Sequence, residues 1–224
     1  MTMNESITAA ASALGIRVPS RGELVADGIV HAVGVAAGIT GSIVLIALAA
    51  LRHTYVEIIA VSIYAAGMIL MFSCSALYNI ARKHRHRHYF QRLDHSGIFL
   101  MIAGTYTAFT MLMLKGDWAV WLTVLVWSFA FIGVVIKLLW PKRLEGVTTG
   151  LYIALGWIGI IAIEPILTTL GVAALVLLGV GGALYTVGVI FHLWERLPYQ
   201  NAIWHGFVLA GAGTHYGAVL TAVI

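Results

Sequence analysis

The chain has 224 residues, 61% of them hydrophobic and 10% charged, with 13 Lys and Arg against 9 Asp and Glu. Soluble domains carry about 25% charged residues, so this composition excludes a water-soluble enzyme, a nucleic-acid-binding domain and a disordered tail. What remains is an integral membrane protein, and its single cysteine, Cys74, excludes a disulfide framework or a multi-thiolate metal site.

Residues 1–25 form the one long stretch outside the membrane. No Lys or Arg precedes Arg17, and Ile7–Ile16 is too weakly apolar for the core of a secretory signal. That stretch reads either as a short amphipathic surface helix or as a tail. Residues 26–224 then form one membrane domain. About 20 apolar residues are needed per helical span, and seven stretches qualify: 26–50, 55–79, 95–114, 118–138, 147–163, 171–192 and 202–223.

Polar groups inside spans are costly, so each is a site hypothesis. The first span carries His31 about one turn inside. The second ends on Ser75 and Asn79, which are four apart and share a helix face. The following loop holds Arg82, Lys83, Arg85, Arg87 and Arg92, a cluster that reads as a topology signal with attraction to anionic lipid. The third span opens with Asp94, His95 and Ser96. The fourth and fifth are apolar, and Glu164 with Pro165 reads as a loop closing the fifth. In the sixth, Gly179 and Ala183 fit a small-residue packing pair. The seventh opens with Asn201 and His205, again four apart, and His215 lies about 15 Å deeper, in a different network.

Eleven of the thirteen Lys and Arg fall on one side of this arrangement, leaving only Arg52 and Lys115 on the other. The charge bias predicts a cytoplasmic N-terminus and a C-terminus on the outer side. The expected fold is all-α: a polytopic membrane protein built as a seven-transmembrane-helix bundle. Four helices then bring His31, Ser75, Asn79, Asp94, His95, Asn201 and His205 to one depth, in the inner leaflet.

Several of these strings resemble a known family. Val30-His-Ala-Val-Gly34, Ser75-Ala-Leu-Tyr-Asn79, Arg92-Leu-Asp-His-Ser-Gly-Ile98 with Ile102-Ala-Gly-Thr-Tyr-Thr107, and Asn201-Ala-Ile-Trp-His205 are similar to signatures of the bacterial hemolysin III family. That family is related to the adiponectin and progestin receptors and, distantly, to the alkaline ceramidases. The resemblance implies a seven-helix bundle with a cytoplasmic N-terminus. It also implies an inner-leaflet site in which three histidines hold zinc beside a Ser and an Asp, as in a lipid amide hydrolase. Ser75 and Asp94 match the Ser and the Asp, and His205 matches one zinc ligand. The other two ligand positions are Asn79 and Asn201 here.

One imidazole with two carboxamides is a poor zinc set. The expectation is therefore no cofactor, with the two amides joining a hydrogen-bond network around Asp94, His205 or Ser75. A rescued His–His–Asp set from His31, Asp94, His95 and His205 would restore zinc, but adjacent Asp94 and His95 face differently on a helix. Three functions follow. The first is a non-catalytic or pseudoenzyme protein of the cytoplasmic (inner) membrane that responds to a lipid or small-molecule ligand. The second is a metal-dependent hydrolase of lipid amides or esters with rewired ligands. The third is an oligomeric pore; the polar layer at a single depth gives weak support only to a pore formed by one chain. The partners expected are membrane lipids and not nucleic acid.

Overall fold

The computed structural model describes residues 17–140 and 144–224. Among them every regular element is helical: α1 (Arg21–Arg52), α2 (Tyr55–Ile80), α3 (Arg87–Leu112), α4 (Asp117–Leu139), α5 (Glu145–Trp157), α6 (Ile163–Thr169), α7 (Val172–Leu193) and α8 (Gln200–Val223). A 3-10 turn, Ile158–Ala162, joins α5 to α6 in one apolar traverse. The amphipathic segment expected before Arg17 lies outside the described residues.

Six segments are long and apolar enough to cross a membrane: α1, α2, α4, α5 with α6, α7 and α8. The exception is α3, and its position explains why. It packs against α2 on one side and α4 on the other, and also meets α5 and α8. Surrounded by protein rather than lipid, it buries Ser96, Thr105, Thr107 and Thr110. Its hydroxyls are largely satisfied within the protein: Thr105 and Thr107 donate to the carbonyls of Met101 and Ala103 at 2.8 Å, and Trp127 Nε1 donates to Thr107 Oγ1 at 2.9 Å. Elsewhere the bundle exposes large apolar side chains such as Ile43, Trp121, Phe131, Ile160 and Ile190, as a lipid-facing surface requires.

The buried face of α1 is a single stripe: Glu23, Asp27, His31, Gly34, Gly38, Ser42, Leu45 and Ala49. Its steps of three and four residues are the period of one helix face. The stripe is polar at its start, small in the middle, where Phe72 fills the groove over Gly34 and Gly38, and apolar at its end. α2 and α3 approach still more closely. Gly67 faces the backbone of Leu100 and Met101, and Gly97 and Gly104 face Met71 and Tyr64, as small residues permit in membrane helices.

Two expectations are corrected. Gly179 is exposed with open space around it and Ala183 is exposed, so that pair does not pack. α7 meets α8 instead through Gly181, against Thr214 and His215, and through Gly188, against Trp204 and Phe207. Glu164 and Pro165 do not close the fifth traverse but sit in the first turn of α6, where proline's missing N–H is no loss. The irregular 3-10 segment before them keeps its backbone satisfied through Tyr106 of α3. The Tyr106 hydroxyl donates to Gly156 O and accepts from Gly159 N, both at 2.9 Å.

Alternating helix directions gather the starts of α1, α3, α5 and α8 with the ends of α2, α4 and α7. A cavity of about 260 Å³ opens at that end of the bundle. At the other end Arg52 Nη1 donates to Ile224 O at 2.9 Å, closing α1 onto α8.

One packing contact gives a direct test. Gly133 of α4 lies against the tip of the Phe99 ring, which is fully buried and packs on Tyr152 with centroids 4.5 Å apart. Gly133→Ala should destabilise the detergent-solubilised protein by about 1–3 kcal/mol through overpacking. Gly179→Ala, in open space, should change it by less than about 0.5 kcal/mol. Thermal unfolding of the two variants checks the contrast.

Candidate metal centre and inner cavity

The site is positioned from the start of α1. Ser20 caps the helix: its hydroxyl accepts from Glu23 N at 3.3 Å, while the Glu23 carboxylate accepts from Ser20 N at 2.6 Å. The same carboxylate pairs with Arg17 and accepts from Tyr199 N at 2.7 Å. Tyr199, the residue before α8, is held in the left-handed region at φ 58°, a conformation costing about 1–3 kcal/mol. Glu23 therefore ties the first turn of α8 to the first turn of α1.

One turn further along each helix the functional groups meet. Asp27, 2% exposed, presents two carboxylate oxygens to different partners. Its Oδ2 accepts from Arg82 Nη2 at 2.8 Å and from Asn79 Nδ2. Its Oδ1 accepts from His205 Nδ1 at 2.7 Å and lies 3.6 Å from His31 Nε2. The two imidazole rings sit 4.4 Å apart. His31 Nε2 is buried and has no hydrogen-bond partner among the described residues.

All seven side chains singled out from the sequence line the one cavity, together with Asp27 and Arg82. They do not all converge. His31, Asn79 and His205 reach Asp27. Ser75 is buried beside Asp94, and both face the cavity outside the Asp27 cluster. His95 lines the same cavity and its backbone carbonyl accepts from Tyr152 Oη at 2.9 Å. Asn201 is exposed at the mouth, where a smaller cavity of about 180 Å³ shares Asp27, Arg82 and Asn201 with the first. His215 stands apart, as expected, against Leu178 O at 3.4 Å and the Tyr185 ring.

The expected network around Asp94 is thus centred on Asp27, with Asn79 as one of its donors. The His–His–Asp possibility also takes a different form. Ligand atoms of Asp27, His31 and His205 lie within 4.8 Å of one another, so a carboxylate from α1 stands where Asp94 or His95 was considered. Ligand atoms about 2.1 Å from a tetrahedral ion are about 3.4 Å apart. The 3.6 Å His31–Asp27 spacing fits that edge. The 2.7 Å His205–Asp27 contact is a hydrogen bond that must open by about 0.7 Å. Two imidazoles and a carboxylate are an accepted zinc donor set, and His31 Nε2 is without a hydrogen-bond partner 3.6 Å from the Asp27 oxygen.

A family model described as Haemolysin-III related matches residues 23–216. The chain belongs to the haemolysin-III family. It is 37% identical to the Hemolysin-3 homolog of Bacillus subtilis (strain 168) over 198 residues, 88% of this chain and 93% of that protein. It is likewise 37% identical to the Hemolysin-3 of Bacillus cereus over 202 residues, 90% of this chain and 92% of that one. A more distant relative is the human monocyte to macrophage differentiation factor, 28% identical over 163 residues, 70% of this chain and 67% of that protein. No solved structure gives a significant match to the chain.

Within this haemolysin-III bundle, sequence reasoning missed Glu23, Asp27 and Arg82. Asp27 carried a legible signal. It precedes His31 by four, the same spacing that singled out Ser75 with Asn79 and Asn201 with His205, and Glu23 precedes it by four again. Arg82 was hidden by its neighbours, since one arginine of a basic loop cannot be told from the others by spacing.

The Asp27–Arg82 pair joins α1 to the end of α2. In a double-mutant cycle of Asp27→Asn and Arg82→Gln, unfolding of the metal-free protein should report a coupling of about 0.5–3 kcal/mol. Additive effects would mean the two side chains do not interact.

Proposed function

We propose that this haemolysin-III protein is a multi-pass protein of the bacterial cytoplasmic membrane. In this reading seven spans place the N-terminus in the cytoplasm and the cavity in the inner leaflet, and the protein hydrolyses an amide or ester bond of a membrane lipid at a metal centre. The observation that carries the reading is the unpartnered His31 Nε2, 3.6 Å from the Asp27 oxygen that also meets His205. The orientation is supported by the sequence bias that puts eleven of the thirteen Lys and Arg on the side expected to be cytoplasmic.

Asp27, His31 and His205 would hold the ion, which supplies Lewis acidity toward a carbonyl and acidifies water. Arg82 and Asn79 grip the second oxygen of Asp27, keeping its first oxygen turned toward the histidines. The Asp94 carboxylate takes a proton from the attacking water and returns it to the leaving amine or alkoxide. The Ser75 hydroxyl donates to the carbonyl oxygen as that oxygen gains charge. The second reading, a non-catalytic ligand-responsive protein, is favoured by a different observation: Arg82 already neutralises Asp27 across a 2.8 Å ion pair.

Metal analysis of protein purified in mild detergent and dialysed against zinc tests the choice. Wild type should retain about one zinc per chain, and His31→Ala and His205→Ala should lose it. The Asn79→His, Asn201→His double variant restores the family's own donor set and serves as a positive control. Zinc-loaded wild type should cleave a fluorescent lipid amide or ester, with Asp94→Asn lowering kcat by about 10²–10⁴-fold. Metal-free wild type beside a loaded double variant would favour the non-catalytic reading.

A further inference from the structure

The opposite wall of the cavity holds a charge that the hydrolytic site does not use. Lys137, in the last turn of α4, is 2% exposed and lines the cavity with His95, Glu145, Tyr152 and His192. Among the described residues no carboxylate oxygen lies within 4.0 Å of its ammonium, and it makes no hydrogen bond. The other cations at the cavity are engaged. Arg82 is paired with Asp27, and Arg87 Nη2 donates to Tyr78 Oη at 2.8 Å while its guanidinium covers the Tyr78 ring. Glu145, exposed at the start of α5, lines the same cavity and is the acid whose charge reaches Lys137, from beyond 4.0 Å.

The Lys137 side chain is buried while its ammonium is open to the cavity, and with no acid within 4.0 Å to neutralise it this end of the cavity favours an anion. Between the polar groups already described, one part of the wall is apolar, with Val30, Met71, Phe72, Val189, Val208 and Leu209. A charged end and an apolar flank in one space match an amphiphile, not a small hydrophilic ion.

We propose that Lys137 binds the anionic head of a lipid, a phosphate or carboxylate group, whose acyl chain lies along this apolar wall. This extends the proposed hydrolytic site by naming its substrate class, and rests on that reading for the head's role in catalysis. Binding itself needs neither metal nor turnover, so the two can fail separately.

The test uses the full chain in neutral detergent with a chelator present. Binding of lysophosphatidic acid, of a monoacylglycerol with the same acyl chain, and of inorganic phosphate is read by microscale thermophoresis. Wild type should bind lysophosphatidic acid at least about tenfold tighter than the neutral lipid. Lys137→Met should bring the two within about twofold while leaving monoacylglycerol binding intact, which shows that the cavity is still folded. Lys137→Arg keeps the charge and should keep the preference. So should Arg85→Gln, which alters an exposed loop cation outside the cavity. Equal wild-type affinities, or a preference that survives Lys137→Met, would overturn the proposal. Inorganic phosphate binding as tightly as lysophosphatidic acid would also overturn it, by assigning a small-anion site.

Discussion

A carboxylate buried among four chain segments is the constraint on which this end of the molecule depends. Asp27 of α1 meets Asn79 at the end of α2, Arg82 in the turn that follows, and His205 of α8. An ionised carboxylate in such a place is tolerable only when both oxygens are matched by donors. Matching them draws the ends of three helices together, and Glu23 secures the same junction one turn earlier through Tyr199 N. The apolar remainder of the bundle could tolerate small shifts between helices. This junction has far less freedom, because a displaced partner leaves a buried charge uncompensated.

The same carboxylate bears on the two asparagines that stand where the family resemblance implies histidines. Asn79 donates to Asp27, and Asn201 lines the mouth of the cavity. Under the proposed metal reading the donor set would draw on α1 instead, where Asp27 and His31 share one face four residues apart, together with His205 of α8.

Much of this was legible in the residues. Long apolar runs located the spans, because a lipid-facing helix has little choice of composition, and pairs four apart located one polar face on α2 and another on α8. Asp27 obeyed the same rule but stood at the edge of an apolar run, where acids are unremarkable. Other features depend on partners far away in sequence. Arg82 acquires its meaning from a residue 55 positions earlier. The 3-10 interruption of the fifth traverse is stabilised by Tyr106, more than 50 positions before it. Lys137 ends an apolar span, and its burial follows from the packing of α3 and α5 against α4, which no local pattern shows. The lower hydropathy of α3 follows likewise from its central place, which no local pattern discloses.

The central claim, that Asp27 acts with His31 and His205 as one donor set, is tested most directly by X-ray absorption at the zinc edge on the zinc-loaded protein. The account predicts a first shell of two imidazole nitrogens with carboxylate oxygen, and a changed oxygen shell in Asp27→Asn. A shell with a single imidazole, or one that Asp27→Asn leaves untouched, would contradict it.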